Sequence, residues 1–488
     1  MTASNNFLES SPWSGKFFNG DWIDASAINE VIEPATQTVL TRTGLAGAAD
    51  ILTAASRAAR AQKEWAKTSV RDRATVFLKA ADFLQAHFDE LSTIIARETG
   101  GIIPKGQHEV REAIVLLQLA AGMCFQPDGL TLPASSGKLS YARRIPLGVV
   151  GVISPFNFPL FLSLRSIAPA LATGNAVISK PDPQTSLTGG YLMALAFEAA
   201  GLPKGLYHVL PGGAEAGEAL CSSPDVAMVA FTGSTATGRK VGEICGRNLK
   251  KVSLELGGKS SLIILDDANL ELAAKNIAFG AFFHQGQICM ASGRVLVHEK
   301  VAAELTKLMV EKANHLPVGD PASGQVALGP LINAKQAEKV DAIVQDSIQS
   351  GARLEAGGKR DGVFYSPTVL SNVKPGMRCF NEEIFGPVVN IVTFSTDDEA
   401  VALANDTEYG LAGAVISANI SRARKIGEQL KVGLMHINDQ TVVDECVNPF
   451  GGCGISGNGS NMCGPSDWET YTHWQWVTIK DEPPAYPF

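Results

Sequence analysis

Four short segments carry residue types that could do chemistry. In VSLELGGKSS (252–261), Glu255 ends an apolar run and precedes a pair of glycines. A carboxylate in that setting either shuttles protons or closes a buried ion pair. Cys289 follows at a separation of 34 positions, in HQGQICMASGR (284–294), where small neighbours permit a substrate to approach. Its thiol reads as a nucleophile or as a small, inert core residue. PFNFP (155–159) holds Asn157 between two prolines, so its amide is either aimed at an oxyanion or closes an Asx-turn. FTGSTATGRK (231–240) follows a strand-like run and opens a helical pattern, with Gly233 and Gly238 around a polar turn. A helix N-terminus of this kind suits a phosphate, and the alternative is a tight strand-to-helix connection. It departs from both common phosphate fingerprints, because Thr235 stands where one needs glycine and Arg239 follows Gly238 where the other needs lysine. His284, five residues before Cys289, leaves a Cys-His hydrolase open as a rival.

These segments need elements to hold them. From position 149 short apolar runs (VVGVIS, AVISK, YHVLP, MVAFTG) alternate with helical patterns near 160–172, 187–200 and 214–221. Such alternation predicts successive βαβ units, hence a parallel sheet with helices on both faces. A second series runs through SLIIL (261–265), RVLVHE (294–299), PTVLSNV and NIVTFS (390–395). Upstream, helical spacing predicts one helix over 48–67, another over 71–98 and a third over 106–122, with Asp50 and Asp72 as helix-start carboxylates. SSGKLSYARRIPLG then reads as a hairpin or arm, and the tail WQWVTIKDE as an edge strand awaiting a partner.

The chain has 488 residues, 45% of them hydrophobic and 18% charged, which predicts two or three domains with ordinary soluble cores. Lys and Arg total 41 against 49 Asp and Glu, so there is no electrostatic footprint for nucleic acid. The eight cysteines are scattered without a CxxC pair, which argues against a disulfide framework and against a metal site. The start MTASNNFLES has neither a basic nor an apolar leader region, and no run is long enough to span a bilayer, so the expected location is the cytoplasm with no membrane partner.

PFNFP, Lys180-Pro181, FTGSTATG, LELGGKS, GQICMASGR, EEIFGPV (382–388) and PFGGCGISGNG (449–459) occur in the order and near the spacing of the NAD(P)-dependent aldehyde dehydrogenase superfamily, which the chain resembles from FFNGDWI (17–23) to its tail. The resemblance implies an α/β fold: a Rossmann-like cofactor domain (1–125 and 148–256), an α/β catalytic domain (257–460) and a small β oligomerisation arm (126–147 and 461–488), assembled as a homodimer or homotetramer. It makes Cys289 the nucleophile, Asn157 an oxyanion donor and Glu255 the general base, with a carboxyl raised toward neutrality by burial.

By the same resemblance Lys180 contacts the adenosine ribose, Ser234 the pyrophosphate, Glu383 the nicotinamide ribose and Phe385 its ring. Gly213, Gly217 and Gly233 would let the backbone approach, and Ile153, Phe156, Phe231 and Leu256 would complete the cofactor contacts. NAD is favoured and NADP left open, because Pro183 stands where NAD-preferring relatives carry a carboxylate, with Asp182 as a partial substitute. Asn461 occupies a position that many relatives fill with glutamate, which would leave proton relay to Glu255 or to water. HINDQTVVDECVNPFGGCGISGNGS and the AYPF tail are most similar to the benzaldehyde and vanillin dehydrogenase branch. Phe156, Leu162, Phe283, Ile288 and Met290 would then form an apolar slot for a small aromatic aldehyde, the alternative being that they are core residues. The rival readings are a vanillin or hydroxybenzaldehyde dehydrogenase, a cofactor-independent thiol esterase, and a noncatalytic relative, the last opposed by the intact Cys289, Glu255 and Asn157.

Overall fold

A computed structural model describes residues 7–487. The MTASNN start, on which the expectation of a leaderless chain partly rests, and Phe488 of the AYPF tail lie outside the described residues.

The first βα series forms a seven-stranded sheet in the order Lys251–Glu255, Met228–Thr232, Val149–Ile153, Ala176–Lys180, Tyr207–Val209, Lys16–Phe18, Trp22–Asp24. The first five are parallel, and an antiparallel hairpin finishes the edge. Val149–Ile153 and Ala176–Lys180 are buried at every residue, as expected of parallel strands covered on both faces. The chain moves outward one way from Val149–Ile153 through Ala176–Lys180 to Tyr207–Val209, then returns to lay Met228–Thr232 on its other side. That reversal opens a crevice beyond the carboxyl ends of Val149–Ile153 and Met228–Thr232, the place where such sheets bind ligands. PFNFP and TGST are the loops that leave those two ends.

The second series forms another seven-stranded sheet, in the order Arg353–Ala356, Thr368–Ser371, Val388–Phe394, Arg294–His298, Ser261–Ile264, Ala412–Ile416, Leu434–Ile437, parallel except at the Arg353–Ala356 edge. Successive side chains point to opposite faces: Ile263 and Leu296 join one core cluster, whereas Leu262, Ile264, Val295 and Val297 join another. Both faces are therefore apolar and both carry helices.

The tail strand Thr472–Ile479 pairs along its whole length with Leu139–Pro146, which also pairs with Gly129–Thr131. Among the described residues its other edge is unpaired, and Trp474 and Trp476 are 41% and 66% exposed. No helix among the described residues is long and apolar enough to cross a membrane.

Two elements differ from the sequence expectation. The helix expected over 71–98 is two, Val70–Ala86 and Phe88–Thr99, parted at His87 (φ −110°, ψ 20°). The His87 ring packs against Phe7 and Phe83, a tertiary contact invisible to helical periodicity. The helix expected over 187–200 begins as a π-turn, Leu187–Tyr191, and becomes α-helical at Leu192–Ala200. Gly190 lies in that turn, where a Cβ would come 2.4 Å from a Val209 methyl, so only glycine lets the turn sit this close to the sheet.

Candidate active site

Four of the parallel strands deliver functional side chains at their carboxyl ends. Val149–Ile153 leads to Asn157, Ala176–Lys180 ends on Lys180, Met228–Thr232 leads to Gly233 and Ser234, and Lys251–Glu255 ends on Glu255. Cys289 comes from the other sheet's side, in the turn before Arg294–His298. Two glycines bring the two halves together. A Cβ on Gly258 would lie 2.3 Å from the Cys289 carbonyl oxygen, and one on Gly257 would lie 2.6 Å from the Glu383 carboxylate. The Gly258 N–H donates to Glu383 Oε1 at 3.0 Å. The Gly-Gly turn after Glu255 is thus the hinge on which Glu255, Cys289 and Glu383 converge.

A cleft of about 570 Å³ runs through this junction. Asn157, Glu255, Cys289 and Leu162 line it, as do Phe156 and Phe385, whose rings meet edge to face at 5.8 Å. Ile153, Lys180, Gly213, Gly217, Phe231, Gly233, Ser234, Leu256 and Glu383 line it too. All three residues read from sequence as catalytic and all eleven read as cofactor contacts therefore share one cavity. Of the residues read as substrate slot, only Phe156 and Leu162 are on its wall. Phe283 stacks on Phe279 at 4.8 Å, and Ile288 and Met290 turn into the core on either side of Cys289. Adjacency to Cys289 in sequence misleads here because the turn points alternate side chains away from the cleft.

Glu255 is 3% exposed, and neither carboxylate oxygen has a hydrogen-bond partner. Burial raises its carboxyl well above 4.5, against the Arg165 charge, which lowers it. Burial also pushes the Cys289 thiol up to about 12, with the Glu383 charge second, so the resting nucleophile is a thiol and needs a base. Asn157 Nδ2 donates to the Gln287 carbonyl at 2.9 Å, which fixes its amide plane, while its buried Oδ1 has no partner. The amide is thus tied to the Cys289 turn rather than closing an Asx-turn. The helix that follows, Pro159–Ala172, has no cap from its own N-terminal residue. Glu109 supplies one from elsewhere in the chain: its Oε2 accepts from the Phe161 N–H at 3.2 Å, and its Oε1 pairs with the buried Lys105.

His284 is buried with both ring nitrogens unpartnered, and its ring sits edge to face on Phe158 at 5.2 Å. It is not on the cleft wall, so no Cys-His couple forms with Cys289. Asn461 is exposed, and its side chain packs beside Gly451.

At the other end of the cleft the residues fit a dinucleotide. The Ser234 hydroxyl accepts from the Thr237 N–H at 3.3 Å and caps Thr235–Arg247, whose N-terminus faces the cleft as an anion site. Nothing lies within 4 Å of a Cβ built on Gly213, so the backbone there is open to a ligand. Lys180 Nζ donates to the Gly212 carbonyl at 2.7 Å. Asp182 Oδ1 accepts from Gln184 N at 2.9 Å and Nε2 at 3.2 Å, which occupies it as a turn cap, and the Pro183 carbonyl accepts from Asn29 Nδ2 at 2.7 Å. No group of three or more His, Cys, Asp or Glu that could hold a metal occurs among the described residues.

Sequence reasoning missed Lys240, Gln336 and Lys339 on the cleft wall, and an ion pair, Arg165 with Asp444, off that wall, whose charges act on Glu255 and Cys289. Arg165 had a signal: it is the single charge in the helix PLFLSLRSIAPALA.

Residues 22–477 match the aldehyde dehydrogenase family. The chain is 47% identical to a vanillin dehydrogenase of Amycolatopsis sp. (strain ATCC 39116 / 75iv2), over 99% of this chain and 100% of that protein. It is 46% identical to a benzaldehyde dehydrogenase [NAD(+)] of Pseudomonas putida, over 98% of each. Among solved structures, an NAD-dependent aldehyde dehydrogenase from Sinorhizobium meliloti superposes with a TM-score of 0.94 at 34% identity, covering 100% of this chain and 98% of that one. A betaine aldehyde dehydrogenase from Staphylococcus aureus in complex with NAD+ superposes at 0.95 with 29% identity, covering 99% and 98%.

Proposed function

The chain belongs to the aldehyde dehydrogenase family, whose members oxidise an aldehyde to the carboxylic acid with NAD(P), and from that premise we propose that its substrate is an aromatic aldehyde of the benzaldehyde type. The observation that carries the chemistry is the convergence of Cys289, Asn157 and the unpartnered Glu255 carboxyl at one end of a cleft whose other end is built for a dinucleotide. The aromatic choice is supported by full-length similarity to vanillin and benzaldehyde dehydrogenases and by the Phe156, Phe385 and Leu162 walls.

Bound nicotinamide dinucleotide supplies the hydride acceptor. Glu255 takes the proton of the Cys289 thiol, and the sulfur forms a bond to the aldehyde carbon. The oxygen of the resulting thiohemiacetal is held by the Asn157 amide and the Cys289 N–H, donors worth about 2.7–4 kcal/mol each in comparable sites. Loss of hydride from that carbon leaves a thioester on Cys289. Glu255 then removes a proton from water, which adds to the thioester, and collapse releases the acid and restores the thiol. A base held among apolar side chains suits both steps, because its raised carboxyl pKa brings it nearer the working pH.

The reading extends to the cofactor and the assembly. Pro183 offers no carboxylate to grip both ribose hydroxyls and Asp182 is engaged in its own turn, so NAD and NADP are both accepted, with NAD favoured. The free edge of Thr472–Ile479, with its exposed tryptophans, joins a neighbouring subunit in a homodimer or homotetramer. The test is the initial rate of NAD and NADP reduction with benzaldehyde, vanillin and a short aliphatic aldehyde, with Cys289→Ala as blank. Fast, Cys289-dependent oxidation of the aromatic aldehydes is expected. No cofactor reduction with any aldehyde, together with cleavage of an activated aryl ester, would establish the thiol-esterase reading instead.

A further inference from the structure

The geometry points to Gln285 as a positioning residue of the oxyanion site: its buried amide holds the chain before Cys289 in a strained turn and so aims the Asn157 amide at the reacting carbonyl. The inference rests on the oxyanion role given to Asn157 above and adds a residue behind it. His284 (φ 49°, ψ 40°) and Gln285 (φ 57°, ψ 27°) are both left-handed, and Gly286 follows at φ 67°. Two consecutive side-chain-bearing residues in that region are rare, because Cβ crowds the following carbonyl. Strain of this kind persists only where the surroundings hold it, and it gathers at functional sites.

Gln285 supplies the restraint. Its side chain is buried, and Nε2 donates both of its protons, to the Gly100 carbonyl and to the Pro330 carbonyl, each at 2.8 Å. The two acceptors lie 185 and 45 positions away, at the end of helix Phe88–Thr99 and in the loop before helix Ala334–Gln349. The turn is therefore tied to two separate parts of the fold. Gly286 lies flat against the segment that carries Phe385, since a Cβ there would come 2.2 Å from the Gly386 carbonyl oxygen. Gln287 adds a further tie, its Oε1 accepting from the Ile332 N–H at 3.0 Å.

The effect is felt two residues beyond Gln285. The Gln287 carbonyl accepts one Asn157 amide proton at 2.9 Å, and an amide has two, so the second is left for the oxyanion. Where that second N–H points depends on where the Gln287 carbonyl sits, and the Gln285 bonds maintain the turn that puts it there. Gln285 is not on the cleft wall, so it acts through Gln287 and touches neither substrate nor cofactor. An oxyanion donor works only at about 2.7–3.1 Å from the developing charge. A misplacement of about 1 Å can cost about 10²-fold in rate.

The experiment is a double-mutant cycle with Gln285→Met, Asn157→Ala and both together. Methionine keeps the length of glutamine and cannot donate. Calorimetry gives Kd for NAD and the number of NAD-binding sites, and kcat/KM for benzaldehyde and for hexanal is counted per site. Gln285→Met is expected to lower kcat/KM about 10- to 100-fold with either aldehyde, because every aldehyde forms the same oxyanion, while Kd for NAD stays within about twofold of wild type. In the Asn157→Ala background the same change is expected to cost no more than about threefold, because the donor it aims is gone. Gln285→Gly, whose backbone takes the left-handed conformation freely, runs the same cycle and decides if the methionine variant does not bind NAD. Equal costs in the two backgrounds, a loss seen only in Kd for NAD, or a loss with one aldehyde alone overturns the positioning role and leaves that of Asn157 standing. Failure of both Gln285 variants to bind NAD also overturns it, by assigning Gln285 to the fold as a whole. Asn157→Ala with wild-type kcat/KM overturns the oxyanion role and the inference with it.

Discussion

Replacing Glu255 by Gln separates catalysis from stability. Both carboxylate oxygens lack hydrogen-bond partners, so the isosteric amide loses no contact within the chain. The stability change at acid pH is therefore small, within about 1 kcal/mol. The catalytic loss is large, because an amide cannot take a proton from water: about 10²–10⁴-fold in deacylation, or about 2.7–5.4 kcal/mol at 1.36 kcal/mol per decade. In a stopped-flow record at 340 nm, Glu255→Gln is expected to release reduced cofactor more slowly than wild type, because no base takes the Cys289 proton, and to stall after about one equivalent per Cys289 because deacylation is lost as well. A second readout follows from the raised carboxyl pKa. Below the ordinary value of 4.5 Glu255 is protonated both folded and unfolded, so it contributes no slope. Above it the unfolded carboxyl ionises while the buried one keeps its proton, the native state binds more protons, and stability falls as pH rises toward the folded pKa. Glu255→Gln lacks this loss, so urea melts should show it gaining stability relative to wild type as pH increases from 4.5. Steady-state turnover equal to wild type, without a burst, would refute the general-base role. A stability difference that does not change with pH would refute the buried, protonated carboxyl.

Asn157→Ala removes one oxyanion donor and is expected to lower kcat about 10²–10³-fold, whereas a change confined to KM would assign the amide to binding alone. Pro183→Glu restores a carboxylate after Lys180 and should lower kcat/KM for NADP relative to NAD by about tenfold or more through repulsion of the 2′-phosphate; an unchanged ratio in initial-rate assays would show that Pro183 does not face the ribose. Glu109→Leu strands the buried Lys105 ammonium and uncaps the helix after Asn157, at a cost of about 3–5 kcal/mol, whereas Glu109→Leu/Lys105→Met should recover much of it in denaturant melts. Trp476→Asp places charge on the free edge of the arm sheet, where the ring is 66% exposed, and should shift sedimentation toward smaller species with little change in the monomer's fold.

Much of the architecture was legible because its signals are local. Buried parallel strands read as short apolar runs such as VVGVIS and AVISK, and Gly-Gly after Glu255 announces a close approach of backbone. The errors have non-local causes. The break at His87 depends on Phe7, far off in the chain, and the π-turn at Leu187–Tyr191 depends on how near the Val209 strand lies. Both are decided by neighbours that periodicity does not contain.

The identities of Cys289, Glu255 and Asn157 as candidates came from residue type and surroundings, because a reactive group needs small or rigid neighbours that are contiguous with it in sequence. Their assembly did not. Which side chains face the cleft is decided by packing: Leu162 lines the cavity from the helix after Asn157, while Ile288 and Met290, on either side of Cys289, enter the core. The helix cap from Glu109 and the pairing of Arg165 with Asp444 join residues 52 and 279 positions apart. No one-dimensional pattern encodes which distant charge a buried charge will meet; the low polarity of the interior demands a partner, and only the packed fold decides which one it is.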